Sequence, residues 1–261
     1  MPIMSLPDSF EPMGAIFDVD DTLLDNYAGL DDSGLHEYAR LLAIREIGEK
    51  YGIPELATMD ESQNKTVPHR SREHSIEGGI WQLFYEVGIV DTPNINHAHA
   101  LLQEIATRKH ELYEPILEQF GAPLPMACEF VKAVYVLTNG RLAIASGARR
   151  QDVEAFLRMS GMDTVFEEKR IITREKFVHA KPDSESFEMA FKTLGIPDAE
   201  RQHVLAFEDD PKGVASAKQA GLYVCAITSR FDTKTLMAGE HKPDLIRDSF
   251  VDFAAALSIT L

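Results

Sequence analysis

The stretch GAIFDVDDTLLDN, residues 14–26, decides the fold of this chain. It begins with a short continuous apolar run, residues 15–17, which is typical of a parallel strand buried on both faces. The run ends at Asp18, Asp20 and Asp21. Carboxylates this close repel one another and lose hydration on burial, so a fold that keeps them at a strand end needs a compensating charge, most simply a divalent cation. The stretch therefore predicts a metal site at the carboxyl edge of a sheet.

The spacing of these aspartates also predicts chemistry. A tight turn after Asp18 leaves Asp18 and Asp20 facing one pocket, where two carboxylates can act on one substrate in different roles. We expect Asp18 to be the nucleophile and a Mg²⁺ ligand. Asp20 is expected to be a further ligand and the general acid/base for the leaving group and the attacking water. The alternative is a solvated, Asp-rich turn without chemistry.

Length and charge limit the possible functions. The chain has 261 residues, which is enough for an α/β domain with a smaller insert. Its 26 basic and 42 acidic residues give a net charge of −16, which repels nucleic acid and anionic membranes, so neither is an expected partner. An anionic substrate then needs a local positive patch.

The same composition bears on compartment. Cys128 and Cys225 lack metal-ligand or redox spacing, which favours buried free thiols in a reducing cytosol. We see no apolar run near the roughly 20 residues that span a bilayer and no signal-peptide pattern at the start. These features predict a cytoplasmic protein.

Two parts of the chain differ in pattern. Residues 27–121 show apolar residues at helical spacing without alternation of strands and helices. After residue 125, short apolar strands alternate with helices, a pattern typical of a doubly wound parallel sheet whose site lies beyond the carboxyl ends of its strands. We predict an α/β fold with a Rossmann-like core, residues 1–26 and 122–261, and an inserted α-helical domain, residues 27–121.

Polar residues at three later positions fit a site at that edge. Ser146 and Gly147 end one strand and supply a hydroxyl and backbone N–H donors for a phosphate oxygen, although Ser146 is also a good helix N-cap. Lys181 precedes a helix and could neutralise a nucleophile and a phosphoryl group, or be a solvated loop lysine. Glu208 and Asp209 end another strand and would complete an oxygen-rich shell that suits Mg²⁺ better than Zn²⁺.

These segments resemble, in order, the four motifs of the haloacid dehalogenase superfamily, whose members transfer phosphoryl groups through an aspartyl-phosphate. The segments are residues 17–23, 146–147, 181–183 and 208–213. Two positions depart from the pattern, since Ser184 replaces a usual proline and Asp210 stands where serine is more common. The resemblance implies that residues 27–121 are a C1 cap, a helical lid over the site.

The resemblance also separates reaction classes. Dehalogenases lack the second aspartate, so Asp20 indicates phosphate-ester chemistry. The expected function is a Mg²⁺-dependent phosphatase acting on a small phosphorylated metabolite, with a sugar phosphate as the expected substrate. One alternative is a phosphosugar mutase of the β-phosphoglucomutase type. Another is a non-catalytic protein that binds phosphorylated ligands, against which the intact Asp18, Asp20, Lys181 and Asp209 count.

Recognition of the substrate is expected to involve Thr22, Ser146, Gly147 and two arginines. Arg72 lies in SREHSI, residues 71–76, which resembles a cap segment of the β-phosphoglucomutase branch where an arginine binds the non-reacting phosphate. Arg149 follows the phosphate-binding strand end and could form the positive patch, or lie on a solvated helix face. The cap lysine of that branch falls at Thr107 here, and His36 is the nearest equivalent of its hinge histidine.

Overall fold

A computed structural model describes residues 6, 10–30, 33–70 and 76–261 of the chain. The chain divides into two compact units. We call Met1–Asp25 with Ala122–Leu261 the sheet unit, and Asn26–Gly121 the helical unit. Among the described residues, no helix combines the length and the apolar character that crossing a lipid bilayer requires.

Short strands form two sheets in the sheet unit. They are β1 (Gly14–Phe17), β2 (Leu24–Asp25), β3 (Ala122–Pro123), β4 (Leu142–Ala145), β5 (Ile171–Ile172), β6 (Val204–Glu208), β7 (Tyr223–Ile227) and β8 (Leu245–Arg247). The larger sheet has the order β5-β4-β1-β6-β7-β8, and its paired strands are parallel. All four residues of β1 are buried, as the continuous apolar run predicted. The predicted parallel α/β sheet is confirmed.

The helical unit packs around its own apolar core. Its helices are α1 (Leu35–Tyr51), α2 (Pro54–Ala57), α3 (Glu61–Thr66), α4 (Ile76–Glu86) and α5 (Ala100–Phe120). Helix α1 ends at Gly52, whose φ of 64° is the left-handed conformation that glycine adopts without strain. The core includes Ile44, Trp81, Phe84 and Leu102. Because these residues are buried against one another, the helical unit has a hydrophobic core separate from the sheet.

Helices cover both faces of the large sheet. They are α6 (Ala127–Leu137), α7 (Arg150–Met159), α8 (Glu185–Thr193), α9 (Pro211–Gln219), α10 (Thr233–Leu236) and α11 (Phe250–Ala256). Side chains alternate along a strand, so neighbouring residues of β1 face opposite sides. Ile16 belongs to a core cluster with residues of α8 and α9. Phe17 contacts Phe130 of α6, and its ring stacks on Phe207 with centroids 4.7 Å apart.

A two-stranded antiparallel ladder lies where the chain leaves and re-enters the sheet unit. Leu24 pairs with Pro123 and Asp25 pairs with Ala122. Each strand has two residues, which is too short to produce an alternating pattern, and the sequence did not predict this ladder. It fixes the ends of the inserted segment next to each other.

Candidate active site

The carboxyl ends of β1 and β6 bring two acidic segments together. These strands are adjacent and parallel, with Phe17 in register with Phe207. The Asp18 N–H donates to the Phe207 carbonyl at 3.0 Å, which extends the pairing by one residue. Asp18 therefore lies beside the acidic end of β6. We had predicted a metal site at this edge of the sheet, with carboxylates contributed by both segments.

Lys181 joins these two strand ends. Its Nζ donates to Asp18 Oδ1 at 2.6 Å and to Glu208 Oε1 at 2.5 Å. Burial alone would lower the pKa of Lys181, but the charges of Asp18 and Glu208 raise it above its usual value. The ammonium group therefore stays protonated. Three residues that are far apart in sequence form one buried ionic cluster.

Negative charge exceeds positive charge in this cluster. Carboxylate oxygens of Asp18, Glu208 and Asp209 lie within 4.8 Å of one another, and all three residues are buried. Burial, with the charges of Glu208 and Asp18 added, raises the pKa of Asp209 to about 9. Burial also raises the pKa values of Asp18 and Glu208, although Lys181 opposes this.

One oxygen of the cluster lacks a hydrogen-bond partner among the described residues. Asp209 Oδ2 is fully buried, and within the part of the chain that the structure describes nothing donates to it. A buried anionic oxygen without a partner is costly. Three carboxylates against one ammonium group, together with this oxygen, fit a small hard cation that takes oxygen ligands. Asp18 and Asp209 would hold it.

Glu208 is held by its surroundings. Its Oε1 accepts from Lys181, and its Oε2 accepts the Asp209 N–H at 3.2 Å. A Cβ atom at Gly213 would lie 2.0 Å from Glu208 Cδ, so a side chain at this position would displace the Glu208 carboxylate. These contacts favour Glu208 as the partner that orients Lys181, while its role as a metal ligand stays a prediction.

The turn after β1 contributes a second link between the strand ends. The buried Thr22 hydroxyl donates to Asp209 Oδ1 at 3.0 Å. The structure places the Thr22 hydroxyl on a candidate metal ligand, and its expected contact with substrate stays a prediction. Asp20 is half-buried, and its charge is among those that raise the pKa of Asp18. Its carboxylate lies outside the described three-residue cluster, so its roles as ligand and acid/base stay predictions.

The candidate phosphate-binding turn follows β4. The Ser146 hydroxyl accepts the Ala148 N–H at 3.1 Å, and a Cβ atom at Gly147 would meet no other atom within 4 Å. The turn is therefore tied down at Ser146 and open at Gly147. Both features are compatible with phosphate binding, which stays a prediction for Ser146 and Gly147.

A carboxylate lies at the start of α7. The Arg150 N–H donates to both oxygens of Glu175 at 3.1 Å, and Arg149 Nε lies 3.8 Å from Glu175 Oε1. Arg149, expected to bind substrate, is thus paired with an acidic residue. A substrate phosphate at Arg149 would compete with Glu175.

Two residues outside the four motif segments also contact this edge. Arg230 Nη1 lies 3.7 Å from Asp21 Oδ2 and 4.0 Å from Asp210 Oδ2. The Ser229 hydroxyl donates to the backbone carbonyl of Asp21. The motif segments gave no sign of this pair. The available signal was position, because Ser229 and Arg230 follow the carboxyl end of β7, which is parallel to β6.

The family model described as a haloacid dehalogenase-like hydrolase matches residues 12–221. The chain belongs to this family. The match includes the strand ends that carry Asp18 and Asp209 and the loop that carries Lys181, so the predicted haloacid dehalogenase-like hydrolase is confirmed. Members of the family generally use Mg²⁺, and the acidic cluster could hold a metal ion.

Known proteins similar to this haloacid dehalogenase-like chain include phosphatases. Glycerol-1-phosphate phosphohydrolase 2 of Saccharomyces cerevisiae is 25% identical over 186 residues, which cover 69% of this chain and 70% of the yeast protein. A Haemophilus somnus structure assigned as a phosphoglycolate phosphatase superposes with a TM-score of 0.68 at 15% identity, covering 95% of this chain and 99% of that one. A Thermotoga maritima structure assigned as a β-phosphoglucomutase has a TM-score of 0.64 at 22% identity, covering 95% and 99%. The family and the yeast relative support a phosphoric monoester hydrolase.

The helical unit contains a separate polar cluster. Lys109 Nζ lies 2.8 Å from His36 Nδ1, and the His36 ring stacks on Tyr113 with centroids 4.1 Å apart. Thr107, which the resemblance matches to the cap lysine, is thus two residues before the lysine that contacts His36. Arg72, the candidate phosphate ligand, lies outside the described residues.

Proposed function

We propose that the protein is a Mg²⁺-dependent phosphatase that hydrolyses a small phosphorylated metabolite through an aspartyl-phosphate on Asp18. The observation that carries the proposal is the buried cluster at the ends of β1 and β6. In it a carboxylate nucleophile, an ammonium group and an unpartnered carboxylate oxygen lie within a few ångströms. A dianionic ester would otherwise repel an anionic nucleophile, and this cluster supplies the means to reduce that repulsion.

In the first step, a carboxylate oxygen of Asp18 attacks the phosphorus atom in line with the ester oxygen. The bond from phosphorus to the ester oxygen breaks, and that oxygen takes a proton from Asp20. In the second step, Asp20 removes a proton from water as the water oxygen attacks the phosphorus atom, and the bond from phosphorus to the Asp18 carboxylate oxygen breaks. Inorganic phosphate is released, and Asp18 and Asp20 return to their starting states.

Lys181 offsets the charge that accumulates on the phosphoryl oxygens, while Glu208 holds its ammonium group in place. When bound, Mg²⁺ supplies further positive charge at these oxygens. Ser146 and Gly147 are proposed to donate hydrogen bonds to the phosphoryl group. An idle binding protein would have no use for an acid/base at Asp20, so that alternative is less well supported.

The helical unit is proposed to be the cap that determines which ester is hydrolysed. The name of the yeast relative makes glycerol phosphates the first esters to test, followed by sugar phosphates. The free thiols Cys128 and Cys225 support a reducing compartment, which we take to be the cytosol.

A phosphosugar mutase is the second candidate function. The contact between His36 and Lys109 favours this function. The mutase branch has a hinge histidine and a cap lysine, and the sequence alone gave no certain equivalent of either. The contact shows a histidine and a lysine side by side in the helical unit. In a mutase, the phosphoryl group on Asp18 passes to a second hydroxyl of the sugar in place of water.

A panel of phosphate esters separates these functions. The purified chain is incubated with glycerol 1-phosphate, sugar monophosphates and a sugar bisphosphate, with Mg²⁺ or with EDTA, and both free phosphate and isomerised sugar are measured. We expect Mg²⁺-dependent phosphate release. Isomerised product without release would favour the mutase, and neither product would favour a binding protein.

Two variants test the mechanism in the same assay. Asp18→Asn should abolish turnover, and Asp20→Asn should nearly do so, with folding checked by circular dichroism. Rates like those of the wild type in either variant would remove the proposed mechanism.

A further inference from the structure

Arg230 places a positive charge between two acidic turns. Its Nη1 faces Asp21, in the turn after β1, and Asp210, at the start of α9, at 3.7 and 4.0 Å. Asp210 caps α9 by accepting the Lys212 N–H at Oδ1, and its other oxygen faces Arg230. One guanidinium nitrogen therefore connects the β1 turn with the segment that carries Asp209.

Asp21 has a backbone conformation that needs support. Its φ is 57°, which is uncommon for a residue with a side chain, although aspartate tolerates it better than most. Such conformations persist where neighbouring groups hold them. Ser229 donates to the Asp21 carbonyl, and Arg230 faces the Asp21 carboxylate. Consecutive residues after β7 thus contact both the backbone and the side chain of Asp21.

The neighbours of Asp21 have roles at the site. Asp20 is the proposed acid/base, and Thr22 donates to Asp209. Because peptide units are rigid, a rotation at Asp21 moves the residues on both sides. Displacements of about 1 Å at a catalytic group can cost two orders of magnitude in rate.

We propose that Arg230 is a positioning residue that holds the β1 turn and the start of α9 in the geometry that catalysis requires. The inference rests on the proposed phosphatase activity. Asp21 and Asp210 add negative charge to an edge that already carries Asp18, Glu208 and Asp209, and Arg230 offsets this charge from outside the buried cluster. The side chain is partly exposed, so its contribution decreases as salt increases.

Steady-state hydrolysis of p-nitrophenyl phosphate with Mg²⁺ tests this role. Arg230→Ala should lower kcat about tenfold while KM changes little, because the residue orients the acid/base turn and does not bind the ester. Arg230→Lys should recover most of the loss, since one nitrogen makes both ionic contacts. A higher KM with kcat unchanged would assign Arg230 to substrate binding, and an unchanged kcat would overturn the proposal.

A matched control uses an arginine before β6, away from the carboxyl edge. Arg201 pairs with Asp198 at 2.9 Å and also donates to the Ala220 carbonyl. Arg201→Ala should leave kcat at the wild-type value. An equal loss in both arginine variants would indicate a general effect on folding and would overturn the positioning role.

A double-mutant cycle tests the contact itself. Asp21→Asn keeps the shape of the side chain and its tolerance of positive φ but removes the charge. Arg230→Ala should therefore cost less in the Asp21→Asn background than in the wild type, both in kcat and in the melting temperature of the Mg²⁺-free protein. Purely additive effects on the melting temperature would overturn the proposed contact between Arg230 and Asp21. This outcome can be read even if the wild type hydrolyses no ester. Absence of wild-type hydrolysis would instead overturn the phosphatase.

Discussion

Each unit holds a cationic side chain in its interior, buried at Arg40 and partly buried at Lys181, and the two cations have different partners. In the sheet unit, Lys181 donates to the carboxylates of Asp18 and Glu208. In the helical unit, Arg40 donates from Nε to Asn64 Oδ1 at 2.8 Å and from Nη2 to the Asn64 carbonyl at 3.0 Å. The Asn64 side chain in turn donates to the Glu37 carbonyl at 2.8 Å. Lys181 donates its hydrogen bonds to carboxylates, whereas Arg40 donates to neutral oxygens and has the charge of Glu37 nearby.

The difference separates a network with an excess of negative charge from one whose hydrogen bonds are satisfied. The Arg40 network connects α1 to α3 through oxygens that are each satisfied by a donor. The Lys181 network retains excess negative charge and an unpartnered Asp209 oxygen. Fully satisfied buried networks rigidify a fold, whereas unsatisfied ones mark positions where a ligand or ion contributes. The comparison predicts different responses when each cation is removed.

Lys181→Met should give the largest effect. Loss of the ammonium group leaves Asp18 and Glu208 without their cation, and the substrate phosphoryl group without its charge partner. We expect kcat for phosphate release to fall about 10³-fold. The matched control is Lys218→Met, because Lys218 pairs with Asp244 at 2.8 Å at the opposite end of the strands. Lys218→Met should keep kcat near the wild-type value. If Lys181→Met also kept kcat within tenfold of the wild type, the proposed difference between Lys181 and Arg40 would be wrong.

The metal-free protein should lose stability as pH rises. The pKa of Asp209 is raised from 3.8 to about 9 in the folded chain, so between these values the folded state binds a proton that the unfolded state has released. The free energy of unfolding therefore falls across this range, by about 2 kcal/mol or more. Unfolding in urea with EDTA at several pH values measures this slope.

Asp209→Asn provides the control for that slope, because the amide keeps the shape of the side chain and cannot ionise. The variant should show a weaker pH dependence, and Mg²⁺ should stabilise the wild type more at high pH. A wild-type stability that increases steadily from pH 5 to 9 in EDTA would contradict the excess of buried negative charge.

Arg40→Met should have the smallest effect and should act on stability alone. The change leaves two buried Asn64 oxygens without donors, which should cost about 1–3 kcal/mol in the free energy of unfolding. Trp81, the single tryptophan of the chain, lies in the core of the helical unit and reports its unfolding by fluorescence. Arg108→Met, which removes an exposed pair with Glu46, is the control and should cost less. A large loss of kcat in Arg40→Met would assign this arginine to the chemistry.

The residues at the strand ends were predictable because a parallel sheet brings its carboxyl ends to one edge regardless of detail. Asp18 and Asp209 followed from the order of strands and helices together with the motif resemblance, and Lys181, in the loop before α8, followed from the resemblance. Partners that depend on tertiary packing left no local pattern. Glu175 at the start of α7 and Asn64 beside Arg40 are ordinary polar residues in sequence. Ser229 lies 208 residues from Asp21, and only the packed structure brings them into contact.

The ladder between β2 and β3 has a consequence for how such proteins diversify. Since Asp25 pairs with Ala122, the chain departs and returns at neighbouring points of the sheet unit. An insertion with adjacent ends can be shortened to a tight hairpin or exchanged for another without stretching any connection. The helical unit could therefore be exchanged as a whole by recombination at two neighbouring positions. Under the proposed function, such an exchange would change which ester is hydrolysed and leave Asp18, Lys181 and Asp209 in place.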